Sequence, residues 1–273
     1  MFRLIYKEMG KSSFQVIDEF KRKNNIQKIG HTGTLDPLAQ GLLLIATDED
    51  TKLIPYLTNK DKEYNVELKL GFNSATFDSE GPICFFSDYI PSEEEVNKVI
   101  NSFVGKIKQI PPSFSSKKIN GKRAYELARK NIKFNLKENE VEIYSINNIY
   151  YHYPIIKFKT KVSNGTYIRS LVNDIGKKLT TGAYMTFLER TMVNGIKEDS
   201  EINIKTMIQL PLIRITEQSE LKRWFFGLNK SYIAKDEHYL LSFNDEIIGV
   251  IKIQNNKVVK TNLFGKKIQN FLT

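Results

Sequence analysis

The chain has 273 residues, 41% of them hydrophobic, with a formal net charge of +10 and an isoelectric point near 9.3. This is globular composition with room for one large unit, or one large and one small, and it excludes disorder. The longest apolar run, Leu42 to Ala46, falls far short of the roughly 20 residues of a membrane span. A single cysteine, Cys84, excludes an intramolecular disulfide framework. No secretory pattern opens the sequence, so the cytoplasm is the expected compartment, with no membrane association. The basic excess favours a polyanionic partner.

In chain order, Phe14, Val16, Ile17 and Phe20 recur at helical spacing behind Ser12 or Ser13, either of which can cap. "GLLLIAT" reads as a buried strand, and "DEDTKLIPYLTN" as a short helix whose acids suit the positive end of its dipole. In "YNVELKLGF", Tyr64, Val66, Leu68, Leu70 and Phe72 alternate onto one face of a strand. Ser92 and Glu95 form a capping-box pattern ahead of Val96, Val99, Ile100 and Phe103. "IIKFKTKVS" alternates again, and "TYIRSLVNDIGKKL" predicts a helix ending in basic residues. Strands and helices mix without a βαβ rhythm, which predicts an α+β fold. Three short apolar strands with turn-prone "NDE" and "NN" between them predict a small β unit over 209–273, after a larger one over 1–208.

Three stretches carry candidate chemistry. In "KIGHTGTLDPLAQGLL", Gly30, Gly33 and Gly41 permit tight turns, and Pro37 pushes Asp36 out of the helical region. Such a loop presents one carboxylate rigidly, as nucleophile, base or ion-pair partner. The alternative is an ordinary Asx turn, common for Asp before Pro. His31 either contacts a phosphate or base, or holds the loop. In "SNGTYIRSL", Tyr167 and Arg169 face one way if the segment is extended and splay if it is helical. A guanidinium aimed at Asp36 would keep that carboxylate ionised and oriented. Finally, residues 117–133 hold seven Lys/Arg and one acid, with Tyr125 among them. Lys117, Lys118, Lys122 and Arg123 are the candidate contacts to a nucleic-acid backbone, the alternative being a solvated face. No His, Cys or carboxylate cluster has metal-ligand spacing, and no nucleotide-cofactor loop is present, so no metal or cofactor is expected.

Together these stretches resemble the tRNA pseudouridine synthase B family, the tRNA pseudouridine(55) synthases. "GHTGTLDPLAQGLL" resembles the family's aspartate loop and "DKEYNVELKLG" its tyrosine strand. "TFDSEG", "IPPSFSSKKINGKRAYELAR" and "SNGTYIRSLVNDIG" follow in family order from about Leu4 to Arg190. The resemblance implies a mixed, mostly antiparallel sheet flanked by helices, plus a compact C-terminal PUA-like β domain. It implies conversion of the T-loop uridine of tRNA to pseudouridine, with the tRNA T-stem-loop as partner and no obligatory protein partner. Asp36 maps onto the catalytic aspartate and Tyr64 onto the base-stacking tyrosine. Tyr167 and Arg169 map onto "GTYIR", His31 onto the residue facing displaced bases, and Leu188 onto a pocket-lining position. Tyr64 is then a candidate base, which requires Arg169 or a desolvated neighbouring cation to lower its pKa. Two departures stand out: Glu8 replaces a proline in "KEMGKSS", and Glu189 replaces an arginine in "FLERT". A related guide-RNA-dependent branch and a non-catalytic RNA-binding module are the rival readings.

Overall fold

The computed structural model describes residues 1–273 apart from Ser116, Asn120, Asn131, Lys133 and Lys230, and apart from the side chain of Lys118. Strand β1 (Phe2–Lys7) leads to helix α1 (Ser13–Lys23), β2 (Ile29–His31), β3 (Gln40–Thr47), a 3-10 helix (Asp48–Tyr56) and β4 (Lys62–Leu70). A small hairpin, β5 (Phe72–Ser74) and β6 (Ile83–Phe85), precedes α2 (Glu93–Asn101) and β7 (Gly105–Gln109). A second hairpin, β8 (Lys118–Ile119) and β9 (Lys122–Arg123), runs into α3 (Ala124–Arg129). Next come β10 (Asn139–His152), β11 (Ile155–Val162), α4 (Ile168–Lys178) and β12 (Ala183–Val193). After a one-turn helix α5 (Ile204–Met207) lie β13 (Leu212–Ile215), α6 (Gln218–Phe225), β14 (His238–Phe243), β15 (Glu246–Gln254), β16 (Lys257–Leu263) and α7 (Gly265–Leu272).

The large sheet runs β1-β3-β12-β4-β11-β10-β7, with β2 also on β3. Every neighbouring pair on that path is antiparallel except β3 with β12. The expected mixed, mostly antiparallel sheet flanked by helices is therefore present. One face carries α2 and α4 over a core of Val66, Leu68, Leu70, Ile143, Ile156, Phe158 and Leu188. The opposite face is charged, with Glu63 and Glu67 each paired to a β11 lysine, Lys159 (2.9 Å) and Lys157 (3.0 Å).

Local signals explain the elements. Ser12 caps α1 and closes a capping box with Gln15, and Ser92 does the same with Glu95 for α2. Helix α1 buries Ile17, while Phe14 is exposed rather than on the core face as its spacing predicts. Gly71, at φ +91°, ends β4, so Phe72 starts a separate short strand. In the C-terminal sheet, order β13-β14-β15-β16, the turns at Asn244-Asp245 and Asn255-Asn256 both have two successive positive φ values, the primed hairpin geometry that these residues favour. We propose that the chain divides just before β13, near residue 209. Leu240, Ile247, Val250 and Phe264 share a buried cluster with Phe2, Leu42, Leu44 and Leu53, so the small sheet packs firmly on the large one. Among the described residues no helix is long and apolar enough to cross a membrane.

Candidate active site

Asp36 sits at the start of a tight turn, its carbonyl accepting from Ala39 N at 3.0 Å with Pro37 at the second position. The turn and the presented carboxylate are thus one device: the backbone makes the turn and leaves the side chain free. Leu35 is buried in the same cluster as Tyr64 and Leu188 and anchors the loop to the core, a contribution of about 1.5–3 kcal/mol. Ser13 of α1 accepts from Leu35 N (2.8 Å) and donates to Leu35 O (3.0 Å).

Three buried cations grip this loop. Arg169 Nε meets Asp36 Oδ2 at 2.9 Å and Nη2 meets Oδ1 at 3.0 Å, a two-pronged pairing. Its remaining donors go to Phe114 O (2.9 Å), Thr76 O (3.2 Å) and Asp78 Oδ2 (3.3 Å). Arg190 donates to Leu42 O (2.7 Å) and Gly33 O (3.1 Å), on either side of Asp36. Lys7 donates to the carbonyls of Glu8, Pro37 and Ala39. Burial lowers its pKa to about 8 despite the nearby Asp36 charge. Gly41 has no alternative: at φ +114°, a Cβ there would lie 2.3 Å from Arg190 O, where β3 and β12 run side by side.

Arg169 owes its place to the junction at Tyr167. That residue is extended (φ −102°, ψ 109°) and α4 begins at Ile168, so the segment is half strand and half helix. Gln109 holds the junction through both Tyr167 backbone groups, accepting from N at 2.8 Å and donating to O at 3.0 Å. Arg169 is only 5% exposed, whereas Asp36 keeps 36% of its side chain open to solvent. Burial raises the Asp36 pKa and the Asp78 charge adds to that, while Arg169 offsets them.

Tyr64, Tyr167, His31 and Leu188 gather round the same loop. Tyr64 lies on β4 directly opposite Arg190 of β12, and both are buried. Burial pushes its phenol pKa up, Arg190 pulls it back, and the Asp36 charge pushes it up again. Of the two cations expected to lower this pKa, Arg169 or a desolvated neighbour, it is the neighbour Arg190 that pulls it down, without outweighing burial. His31 accepts from Gly33 N through Nδ1 (3.2 Å), which braces the turn and leaves Nε2 to carry the ring proton. Burial and the Arg190 charge lower its pKa, so the ring is neutral near pH 7. Burial also raises the pKa of the half-buried Tyr167. Sequence reasoning missed Lys7, Asp78, Gln109 and Arg190. Lys7, Asp78 and Arg190 lie inside stretches already quoted and Gln109 adjoins one, but nothing in hydropathy marks a Lys or Arg as buried.

The basic segment lies at the periphery. Lys122 and Arg123 are exposed on the β8–β9 hairpin. Lys117 instead donates to Asn139 Oδ1 at 2.9 Å. The Lys118 side chain lies outside the described residues. Glu189 is a hub for neutral donors, accepting from Tyr6 (2.8 Å), Asn65 (3.0 Å) and Gln40 (3.4 Å). Among the described residues no group of His, Cys, Asp and Glu has metal-site geometry.

Residues 21–168, more than half of the chain, match the TruB family pseudouridylate synthase N-terminal domain. The chain belongs to the TruB family. It is 46% identical to the tRNA pseudouridine synthase B of Mycoplasma mobile, over 100% of this chain and 97% of that one. Against the enzyme of the same name from Mycoplasmopsis pulmonis identity is 43%, over 100% and 98%. Among solved structures, a Cbf5-Nop10-Gar1 complex contains a chain similar in fold, with a TM-score of 0.66 at 22% identity, over 98% of this chain and 86% of that one. The TruB-family sheet is thus shared with that chain, while the residues built on it are read from this one.

Proposed function

We propose that this TruB-family protein converts the T-loop uridine at position 55 of tRNA to pseudouridine, with Asp36 as the catalytic carboxylate. The observation that carries the reading is the Asp36–Arg169 pair: one carboxylate, a third exposed, gripped by a buried guanidinium. Isomerisation breaks the N-glycosidic bond, turns the uracil and rejoins the ribose at carbon 5. The base must leave its stack first, at a cost of a few kcal/mol that is smaller in a loop. Asp36 then acts at the ribose or the base. Arg169 keeps it ionised and aimed, and Asp78 with Thr76 O fixes Arg169 from behind. The Tyr64 ring stacks on the displaced uracil, with Leu188 and Tyr167 bounding the pocket. His31 faces the displaced bases through Nε2. No cofactor, guide RNA or partner protein is required. Carbodiimide mapping of pseudouridine on an unmodified tRNA transcript, incubated with the protein alone, tests this. Conversion at the T-loop uridine is expected. Conversion only with a guide RNA would favour the guide-dependent branch, and none at all would favour a simple binding module.

Tyr64 supplies a sharper measurement. Tyr64→Phe keeps the stacking ring, so tRNA binding should hold, while loss of the hydroxyl should cost at least ~100-fold in single-turnover rate, the low end of general acid–base contributions. A base must be deprotonated to act, and burial raises this pKa. The wild-type rate should therefore keep climbing on the alkaline side, and the climb should vanish in the Phe variant. A Phe variant with wild-type rate and pH profile would remove the proton-transfer role.

The exposed Lys122 and Arg123 suit phosphate contacts, and Lys117, tied to Asn139, does not. Replacing Lys122 and Arg123 with glutamine should lower the log–log salt slope of tRNA binding by roughly 0.7–0.9 for each phosphate that the wild-type side chains neutralise. Lys117→Gln should leave the slope unchanged.

A further inference from the structure

By residue type, α4 should begin one residue earlier than it does. Its N-cap is Tyr167, which is not a capping residue and makes no side-chain cap. Thr166, just before it, is of the capping type, yet its hydroxyl donates to Ser163 O at 3.0 Å, away from the helix. What holds the start at Ile168 is Gln109, the last residue of β7 and only 2% exposed. Its amide accepts from Tyr167 N (2.8 Å) and donates to Tyr167 O (3.0 Å), so one side chain serves both polar groups of that backbone. The same carbonyl accepts the helix's first bond, from Leu171 N at 3.1 Å. One residue on, Ile110 O accepts from Ser170 Oγ at 2.7 Å. The end of β7 is thus stitched to the first turn of α4 at two adjacent places.

The conformation of Tyr167 matters because of its ring. At φ −102° and ψ 109° the residue is extended, and both the Asp36 and Arg169 charges act on its phenol, which places the ring beside their pair. In a helix begun one residue earlier Tyr167 would take helical angles, and side chains two apart on a helix do not share a face. We propose that Gln109 is a positioning residue for this site: it holds Tyr167 out of a Thr166-capped helix and so keeps the Tyr167 ring beside Asp36 and Arg169. The proposal rests on the pseudouridine synthase reading for the reaction that this ring serves. A glutamine that only stitched β7 to α4 would serve stability and be indifferent to the residue at 166.

Gln109→Met separates these roles, because it matches glutamine in length but makes neither bond. Its single-turnover rate on a tRNA transcript should fall at least ~10-fold, since a misplaced group at a reacting centre costs up to ~10²-fold. Binding of tRNA should stay within about threefold, because affinity comes mostly from phosphate contacts. Backbone carbon shifts of Tyr167, read by NMR without RNA, should move from extended towards helical values. Thr166→Val nearly keeps the shape of threonine but cannot cap. Alone it should leave the rate within about threefold of wild type, and added to Gln109→Met it should raise the rate by about threefold or more, as loss of the competing cap requires. Extended Tyr167 shifts in Gln109→Met would overturn the proposal, as would a wild-type rate or a deficit that Thr166→Val does not relieve. If Gln109→Met does not fold, Gln109→Asn, one methylene too short to bridge both backbone groups, carries the same readouts. The shifts need no turnover, so they are separable from the parent reading, which fails instead if the wild-type protein leaves no pseudouridine in tRNA.

Discussion

Asp36→Asn is expected to abolish pseudouridine formation while keeping tRNA binding within about tenfold, or ~1.4 kcal/mol. The amide has nearly the shape of the carboxylate but is not a nucleophile, and affinity comes mostly from phosphate contacts. The same variant should lose little stability, since the amide is spared the burial cost of the charge while its NH2 turns a donor toward Arg169, which sets it apart from a structural lesion. Burial and Asp78 raise the Asp36 pKa in the folded protein. A raised carboxyl pKa means that folding favours the protonated form, so this group's stability contribution is full below the unfolded pKa and lost as pH rises through the folded one. At pH 7 the ionised Asp36 therefore costs stability that the neutral amide does not. Arg169 keeps Asp78 as a counter-ion in the variant. The wild-type rate should accordingly fall on the acid side at a pH above the ordinary aspartate range. Single-turnover assays, filter binding and thermal melts of the two proteins check all three expectations. Turnover above a few per cent of wild type would remove Asp36 from the chemistry.

Much of this site is legible in the chain because local backbone chemistry leaves marks. Gly33, Pro37 and Gly41 announce a constrained loop, and Tyr64 stands out at the head of an alternating strand. The pairing of Asp36 with an arginine 133 positions away follows from asking what would orient a lone carboxylate. The cations that hold the loop are not legible in the same way. Lys7 and Arg190 look like exposed strand residues, and their burial is set by three strands meeting, which no local pattern encodes. A trace of Arg190 does exist: it sits two places after Leu188 on β12, hence on the same inward face. The C-terminal unit shows the same limit. Its hairpins read directly from Asn-Asp and Asn-Asn, whereas β13, four residues long, pairs in parallel with β14 across the α6 segment and is fixed only by that distant partner. Sequence reasoning also misses helices α6 and α7, although each has an apolar stripe against the sheet through Leu221, Trp224 and Ile268.

Arg169 should be the least replaceable residue of the site. Its five donor hydrogens meet five acceptors: two oxygens of Asp36, one of Asp78, and the carbonyls of Thr76 and Phe114. These come from three separate segments, the aspartate loop, the turn at 76–81 and the stretch before β8. That turn is built for the purpose. Phe77 sits at φ +66°, donates its N–H to Ser74 O (3.2 Å), and accepts from Met185 N at 2.9 Å, which brings Thr76 O and Asp78 to the same guanidinium nitrogen. Arg169→Lys keeps the charge but loses the fork, because an ammonium cannot grip both Asp36 oxygens and reach Asp78 and two carbonyls. Its activity should fall at least ~100-fold, since a misplaced reacting group costs that much, with a smaller loss of stability. Arg169→Met goes further. It leaves two carboxylates, one of them fully buried, without their cation, and removal of one partner from a buried ionic group costs about 3–5 kcal/mol. Carboxylates that lose a cation bind protons more readily, so the Met variant should lose least stability at acid pH and most above neutrality. Thermal melts from about pH 5 to 9 would show that gradient, which a hydrophobic packing defect would not produce. A Met variant as stable as wild type across that range, or a Lys variant with wild-type turnover, would mean that Asp36 is positioned by its loop alone.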